Sequence, residues 1–200
     1  AGAKKVEILP TVINTDRYIL ENKQDMEPSV IRIVWIGSPS TEFYLNLLKN
    51  PLTSLSKIIK FKLIIIGANK FKLDGVDIEF IEWNESSEVK DISECHIGIM
   101  PLVDSPWENG KCGYKLIQYM ACGLPIVGSN VGVNAEIIDH GKNGFIVNND
   151  SEWIKYLSLL IESQTMRREM GLKGLLTVEK KYCLKVTTPK LVDYLKEAIC

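Results

Sequence analysis

Two short runs of sequence decide the fold of this chain: VIRIVWI at residues 30–36 and FKLIII at residues 61–66, each followed by a glycine. Both runs are rich in β-branched residues and almost continuously apolar, which is typical of strands buried on both faces. Residues 41–60 lie between them and carry apolar side chains at a helical spacing that is interrupted at Pro51. Strand, helix and strand in this order indicate a parallel pair joined by a right-handed crossover.

The same alternation continues along the chain. Further strands are predicted at residues 76–83, 96–100, 124–127 and 144–147. Further helices are predicted at residues 86–94, 113–122 and 133–140. About six strands separated by helices predict an α/β fold, namely a Rossmann-like doubly wound parallel sheet with helices on both faces.

The chain divides into three predicted segments of a single domain. Residues 1–29 are polar and turn-rich after one apolar run, which is typical of a linker. Residues 30–150 form the core that contains the sheet. Residues 151–200 show only helical periodicity, with a last helix expected after Pro189, and are predicted as C-terminal helices of the same domain.

Composition excludes several classes of protein. With 46% hydrophobic and 24% charged residues among 200, the chain has the composition of a globular domain. Lys plus Arg (24) nearly balance Asp plus Glu (25), which argues against a nucleic-acid partner. No apolar run approaches the roughly 20 residues of a membrane span, and the first residues lack the apolar core of a signal peptide.

Cysteine and histidine usage argues against a metal centre. The five cysteines form no C-x-x-C pair, and only two histidines are present, so no zinc site is expected. An odd number of cysteines without a disulfide framework indicates a reducing compartment.

The loops that follow the strands at their carboxyl ends are the places where such a sheet binds ligands. In the first of them, Gly37 permits close approach of the backbone, and Ser38 stands at a helix start where free N–H groups can meet an anion. The alternative is that Ser40 acts only as a helix cap. A third loop, residues 123–132, is bracketed by glycines and is equally compatible with a simple turn, and Glu136 beyond it fits either a ligand contact or a surface position.

The most informative segment is residues 107–125, predicted as a turn and helix that grip a diphosphate. Two glycines, Gly110 and Gly113, free the backbone, while the helix start and the side chains of Lys111 and Lys115 supply positive charge. A tight turn with solvated lysines remains the alternative. The segment is no Walker loop, and the chain has no G-x-G-x-x-G after its first strand, which disfavours a standard dinucleotide dehydrogenase.

These residues carry a resemblance to a known family. Gly113, KLIQYMACGLPIV at residues 115–127, Gly132, EII at residues 136–138 and NGF at residues 143–145 follow one another in a recognisable order. The pattern resembles the C-terminal domain of retaining glycosyltransferases of the GT-B fold, family 4. The likeness runs from about residue 6 to the C-terminus, because residues 9–16 also resemble the interdomain linker of that family.

The resemblance implies a function for the whole chain. It implies the donor-binding half of a hexosyltransferase-type enzyme, inactive alone, which binds a nucleotide-diphosphate sugar and works with an N-terminal acceptor-binding domain. It implies no cofactor, since the nucleotide sugar is the donor substrate. Relatives that build surface polysaccharides often work at the cytoplasmic face of a membrane. The resemblance therefore implies a cytoplasmic protein, which in such relatives lies at the inner face of the membrane.

The chain departs from the family at its hallmark, a glutamate followed by seven residues and a second glutamate. Gly110 and Gln118 stand at those positions. The first position lies near the transferred sugar, so the resemblance assigns catalysis to Gly110 and to Glu108, which stands two residues earlier. The second position binds the ribose, and the amide oxygen of Gln118 is expected to accept hydrogen bonds there.

The resemblance also assigns the remaining contacts with the donor. Relatives carry an arginine and a lysine near the first loop, whereas this chain has none there, so the diphosphate is assigned to Gly37, Ser38, Lys111, Gly113, Tyr114 and Lys115. Trp83 and Asn84 follow the third strand, where relatives contact the base. Two alternatives stay open. The loss of both hallmark acids favours a non-catalytic nucleotide-sugar-binding or scaffold module, and because a fold does not determine a function, a GT-B-fold nucleotide-sugar epimerase is the other.

Overall fold

The computed structural model describes residues 2, 6–18 and 28–199 of the chain. Its strands are β1 (Ile31–Ile36), β2 (Phe61–Ile66), β3 (Asp77–Ile81), β4 (Ile97–Met100), β5 (Ile126–Ser129) and β6 (Gly144–Val147). They form one sheet in the order β3–β2–β1–β4–β5–β6, and every neighbouring pair is parallel. The predicted doubly wound α/β fold is therefore confirmed.

The helices occupy the crossovers and the C-terminal part of the chain. They are α1 (Lys49–Ser56), α2 (Glu88–Ser93), α3 (Pro106–Asn109), α4 (Tyr114–Ala121), α5 (Asn134–Ile137), α6 (Asp150–Glu162), α7 (Gln164–Lys181) and α8 (Leu184–Ile199). A 3₁₀ helix (Pro39–Leu48) leads into α1. Side-chain caps begin α6 and α7, because Asn149 accepts from the N–H of Glu152 and Ser163 from that of Met166.

Three features of the helices differ from the sequence-based expectation. The single helix expected at residues 41–60 is a 3₁₀ helix followed by α1, and Pro51 lies in the first turn of α1, where its missing N–H leaves no bond unmade. The four-residue helix α3 was not predicted. The last helix begins at Leu184 rather than after Pro189, and Pro189 is exposed, so the carbonyl that it leaves free faces water.

Hydrophobic residues fill both faces of the sheet, as the apolar runs predicted. In β1, Ile33 and Trp35 pack with the 3₁₀ helix, α1 and α6 on one face. Val34 and Ile36 pack with α2, α4 and part of α7 on the other face. The sheet therefore lies between two layers of helices, which leaves the loops at the ends of its strands as the places where a ligand can approach it.

The chain reverses its direction of winding between β1 and β4, which makes this the switch point of the sheet. Tyr119 of α4 lies against this point. Its hydroxyl accepts a hydrogen bond of 2.9 Å from the N–H of Ile36, and its ring covers Gly98, where a Cβ atom would overlap the ring. A buried N–H without a partner costs about 1–3 kcal/mol. This contact therefore fixes α4 at the crevice where a ligand is expected.

Part of the predicted linker is bound to the domain. The N–H of Ile13 donates to the carbonyl of Tyr182 over 3.0 Å, and the carbonyl of Ile13 accepts from Leu184 over 3.1 Å. Tyr18 is buried in the same core as α4. Of the segments predicted above, residues 1, 3–5, 19–27 and 200 lie outside the described residues, and the role of residues 1–29 as an interdomain linker stays a prediction.

Candidate functional site

The loop after β1 approaches the crevice closely because of Gly37. Its N–H donates to the carbonyl of Ile66 over 2.9 Å, and a Cβ atom at Gly37 would lie 2.5 Å from the ring of Trp35. Ser38 is the N-cap of the 3₁₀ helix, but its side chain makes no capping bond. Its hydroxyl lies 2.8 Å from that of Ser40, and both serines are exposed.

Glu108 is buried on the inner side of α3. Its carboxylate accepts hydrogen bonds from the hydroxyls of Tyr44 and Ser105. The bonds from Ser105 and then from Tyr44 hold the pKa of Glu108 below its usual value. Burial and the bond to Glu108 raise the pKa of Tyr44 to about 12. The carboxylate of Glu108 thus fastens α3 to the 3₁₀ helix, and its predicted catalytic role stays a prediction.

Gly110 ends α3 in an ordinary backbone conformation. Its φ is −83°, and the nearest atom to an added Cβ would be the carbonyl oxygen of Trp107 at 3.5 Å. A residue with a side chain would therefore fit at this exposed position. Gly110 itself offers only its backbone to a ligand, and the neighbouring Trp107 is 78% exposed.

Lys111, just before α4, and Lys115, in its first turn, reach towards the 3₁₀ helix and β1. The Nζ atom of Lys111 lies 4.8 Å from the ring centroid of Tyr44, and that of Lys115 lies 5.3 Å from the ring centroid of Trp35. Burial, and then the charge of Lys111, lower the pKa of Lys115 to about 8. An anion placed beside the two ammonium groups would relieve their repulsion.

The N-terminus of α4 opens onto the same place. Gly113 is its N-cap at a φ of +69°, and a Cβ there would overlap Ile137 of α5. No side chain caps the helix, and Leu116 is the first residue whose N–H bonds back to the carbonyl of Gly113. The preceding N–H groups, including those of Tyr114 and Lys115, therefore point out of the helix along its dipole.

The predicted nucleoside contacts lie around the start of α2. Trp83 follows β3, which ends at Ile81 rather than at residue 83, and its side chain is 49% exposed. Its indole N–H donates to the carboxylate of Glu88 over 2.6 Å. The side-chain oxygen of Asn84 accepts from the N–H and the hydroxyl of Ser86, which starts the turn into α2. The side chain of Asn84 is therefore engaged in this turn.

Gln118 lies beside this cluster and is only 3% exposed. Its amide nitrogen donates to Glu88 over 2.8 Å. Burial raises the pKa of Tyr18, and a hydrogen bond with Gln118 opposes that rise. Burial and then the charge of Glu88 raise the pKa of Tyr114. Glu88 was missed in the sequence because an acid in the first turn of a helix is common.

The structure thus brings the predicted residues together in two groups. Lys111 and Lys115 lie over the rings of Tyr44 and Trp35, next to the first loop with Gly37 and Ser38, and Gly113 begins α4 between the two lysines. Trp83 and Gln118 bind the carboxylate of Glu88, whose charge also acts on Tyr114 at the start of α4. Gly110 stays on the exposed rim.

A further contact joins the third loop to α3. The N–H of Gly132 donates to the side-chain oxygen of Asn109 over 2.9 Å, and the side-chain nitrogen of Asn109 donates to Asp104 over 2.8 Å. Sequence reasoning did not find this contact, because the partners are far apart in the chain.

An open depression of about 510 Å³ lies elsewhere, next to α5 and α6. Its polar lining comprises Glu136, Asp139, His140, Asn148, Glu152 and Lys181. Glu136, for which the sequence left a ligand contact and a surface position open, lines this depression, whereas the residues assigned to the donor do not. Among the described residues no group of His, Cys, Asp and Glu is arranged to hold a metal ion. Nor is any described helix long and apolar enough to cross a bilayer.

The fold and the crevice define a class, that of doubly wound α/β domains with a ligand crevice at the switch point of the sheet. The family follows from comparison with known proteins. A family model described as "Glycosyl transferases group 1" matches residues 31–163. The chain belongs to this family, which confirms the predicted relation to glycosyltransferases at the level of the family.

Solved structures share the fold. Sucrose-phosphate synthase from Thermosynechococcus elongatus has a TM-score of 0.76 and 13% identity, covering 98% of this chain and 53% of that one. Anabaena HepE in complex with UDP and glucose has a TM-score of 0.71 and 13% identity, covering 95% of this chain and 56% of that one. The chain therefore spans about half the length of these two structures.

One curated protein shares a stretch of sequence with the chain. Spore coat protein SA of Bacillus subtilis (strain 168) is 40% identical over 57 residues, which is 27% of this chain and 15% of that protein. The family match over residues 31–163, rather than this short stretch, carries the assignment to the glycosyltransferase family. The narrower assignments, to family 4 and to a retaining mechanism, stay predictions.

Proposed function

We propose that this chain is the donor-binding half of a retaining GT-B glycosyltransferase of family 4. It binds a nucleotide-diphosphate sugar at the crevice between β1 and β4, and an acceptor-binding domain N-terminal to it completes the enzyme. Family membership and the half-length match to larger proteins support this proposal. HepE, which shares the fold, was solved in complex with UDP and glucose, ligands of the class proposed for this crevice.

The observation that carries the proposal is the convergence of positive charge at one end of α4. Lys111 and Lys115 lie over aromatic rings next to the first loop, and the uncapped N-terminus of α4 points to the same place. Two nearby cations, one with a lowered pKa, and free N–H groups form a site that favours a doubly charged anion. A diphosphate supplies both the charge and the oxygen acceptors.

This arrangement also fits the chemistry of glycosyl transfer. When the bond between the anomeric carbon and the diphosphate oxygen breaks, negative charge develops on that oxygen. Ammonium groups and helix N–H groups that are already in place stabilise this charge without reorganising. The donor brings its own leaving group, so the proposed reaction calls on no cofactor.

The proposal is tested by calorimetric titration of this chain with uridine, guanosine and adenosine diphosphates. At least one of them should bind, and the double variant Lys111→Ala/Lys115→Ala should weaken it by about tenfold or more, since two charge-assisted contacts are lost. The matched control is Lys49→Ala/Lys155→Ala, because these lysines also lie over aromatic rings but outside the crevice. Equal affinity of wild type and the Lys111/Lys115 variant would refute the assignment.

A second candidate, a non-catalytic donor-binding module, is favoured by one observation. Gly110 carries no acid, and the nearby carboxylate of Glu108 is held by Tyr44 and Ser105. The two candidates differ in the full-length protein. An enzyme transfers or hydrolyses the donor sugar, whereas a binding module binds it and leaves it intact. Because Gly110 has room for a side chain, Gly110→Glu in the full-length protein asks whether a carboxylate there raises turnover.

A further inference from the structure

Glu88 is fixed at both of its carboxylate oxygens. One oxygen accepts from the amide of Gln118 over 2.8 Å, and the other accepts from the indole of Trp83 over 2.6 Å. The two donors come from different elements, α4 and the segment after β3. The two hydrogen bonds therefore restrict the side-chain conformation of Glu88, which an ordinary surface glutamate would be free to change. They hold its carboxylate near the C-terminal ends of the strands.

The same carboxylate still has acceptor positions to offer. An ionised carboxylate has about four lone-pair positions, and the two donors described occupy two of them. Glu88 is only partly buried, and its neighbours Trp83 and Tyr114 are themselves half-exposed. A ligand that enters from the crevice can therefore donate hydrogen bonds to Glu88.

Gln118 serves a different purpose from Glu88. It is almost completely buried, and its amide nitrogen faces the carboxylate of Glu88. Turning the amide over would set its oxygen against a carboxylate oxygen at hydrogen-bond distance, so the orientation of the amide is determined. A glutamate at position 118 would place two carboxylates in contact. The amide of Gln118 and the carboxylate of Glu88 thus form a matched pair.

The place of this pair fits one part of a nucleotide. Gln118 lies one helical turn, roughly 6 Å along α4, from the helix start where the diphosphate is proposed to bind. In a nucleoside diphosphate the sugar directly adjoins the diphosphate, and it carries two neighbouring hydroxyl donors. A fixed carboxylate with open lone pairs is suited to accept from both of them.

We infer that Glu88 is the residue that binds the ribose hydroxyls of the donor nucleotide, and that Gln118 and Trp83 are its positioning residues. This inference rests on the proposed donor site. It revises the expectation that the amide oxygen of Gln118 meets the ribose directly. It also makes the chain selective for ribonucleotides through a residue of α2.

The experiment compares ribonucleotides with deoxyribonucleotides. The nucleoside diphosphate that binds wild type most tightly is titrated by calorimetry, together with its 2′-deoxy and 3′-deoxy counterparts and inorganic pyrophosphate. Wild type should prefer the ribonucleotide about tenfold or more, because a hydrogen bond to a charged group is lost with each hydroxyl. In Glu88→Gln the preference should fall to about threefold or less, with pyrophosphate binding unchanged. The control Glu94→Gln alters the other end of α2, where the exposed carboxylate pairs with Lys90, and should keep the wild-type preference.

The outcomes distinguish a failure of the donor site from a failure of the assignment of Glu88. If no nucleotide binds wild type, the donor site itself is refuted. If nucleotides bind but Glu88→Gln keeps the wild-type preference, the assignment of Glu88 is wrong while the donor site stands. Trp83→Phe keeps the carboxylate and removes one of its anchors, so it should lower the preference only in part. If Glu88→Gln does not fold, Trp83→Phe tests the inference instead. An unchanged preference of Trp83→Phe for the ribonucleotide would then overturn it.

Discussion

Among single residues, Lys115 has a charge whose burial affects both the stability of the domain and the binding of an anion. Its pKa is lowered from 10.5 to about 8 by burial and then by Lys111, while Cys112 opposes the shift slightly. Between about pH 8 and pH 10.5 the side chain of Lys115 is therefore protonated in the unfolded chain but largely deprotonated in the folded chain. The cost of burying the charge is present below about pH 8 and is relieved as the pH rises above it. A bound diphosphate acts in the opposite direction, because it favours the charged form.

We therefore expect nucleoside diphosphate binding to take up protons in weakly alkaline solution. Affinity should fall as the pH is raised from about 7.5 to about 9.5, a range in which the terminal phosphate, with a pKa of about 6, is already ionised. Calorimetry in two buffers of different ionisation enthalpy measures the uptake. Lys115→Ala should abolish most of it, and Lys155→Ala should leave it unchanged. Full proton uptake in Lys115→Ala would assign the titration to another group.

At the scale of elements, α4 carries most of the site, and its start depends on one backbone conformation. Gly113 has a φ of +69°, and an added Cβ would overlap the side chain of Ile137 and lie 3.2 Å from that of Val133. Gly110 lies three residues earlier in an ordinary conformation, where an added Cβ would make only ordinary van der Waals contacts. The two glycines look alike in the sequence, but only Gly113 is required by the backbone and by packing.

The two alanine substitutions should therefore differ in their effect on stability. Gly113→Ala should lower the free energy of unfolding by about 1–3 kcal/mol, through backbone strain and overlap with Ile137. Gly110→Ala should change it by no more than about 0.5 kcal/mol, as for an open surface position. Denaturant unfolding measures both values. Equal destabilisation by the two variants would show that the start of α4 is not constrained as described.

The order of the elements could be predicted from the sequence because strands buried on both faces leave an unmistakable apolar run. The runs at residues 30–36 and 61–66 became β1 and β2 almost unchanged. Helix α3 was missed because four residues are too few for a helical period. The division of residues 41–60 was also missed, since the same apolar spacing serves a 3₁₀ helix and an α-helix.

At the scale of the whole molecule, the candidate site depends on pairings between distant segments. Glu88 meets Gln118 across 30 positions, and Tyr44 meets Glu108 across 64. Local periodicity contains no information on such partners. The sequence could therefore indicate which loops converge, because parallel strands bring their carboxyl ends to one edge, but not which carboxylate each loop presents.

Because these pairings join several elements around one crevice, a bound nucleotide should stabilise the domain as a whole. At a concentration of 100 times Kd the expected gain is about 2.7 kcal/mol. For a domain of this size each kcal/mol raises Tm by about 2–4 °C, so Tm should rise by about 5–11 °C. Thermal unfolding followed by circular dichroism measures the shift.

The Lys111→Ala/Lys115→Ala variant tests where this stabilisation comes from. Because the gain depends on the logarithm of concentration over Kd, a tenfold loss of affinity leaves about 1.4 kcal/mol at the same nucleotide concentration. The variant should therefore shift by no more than about half as much as wild type. A nucleoside without phosphates should also give a smaller shift in wild type, because it contacts Glu88 but not the start of α4. A full shift with the nucleoside alone would place the binding energy away from the two lysines.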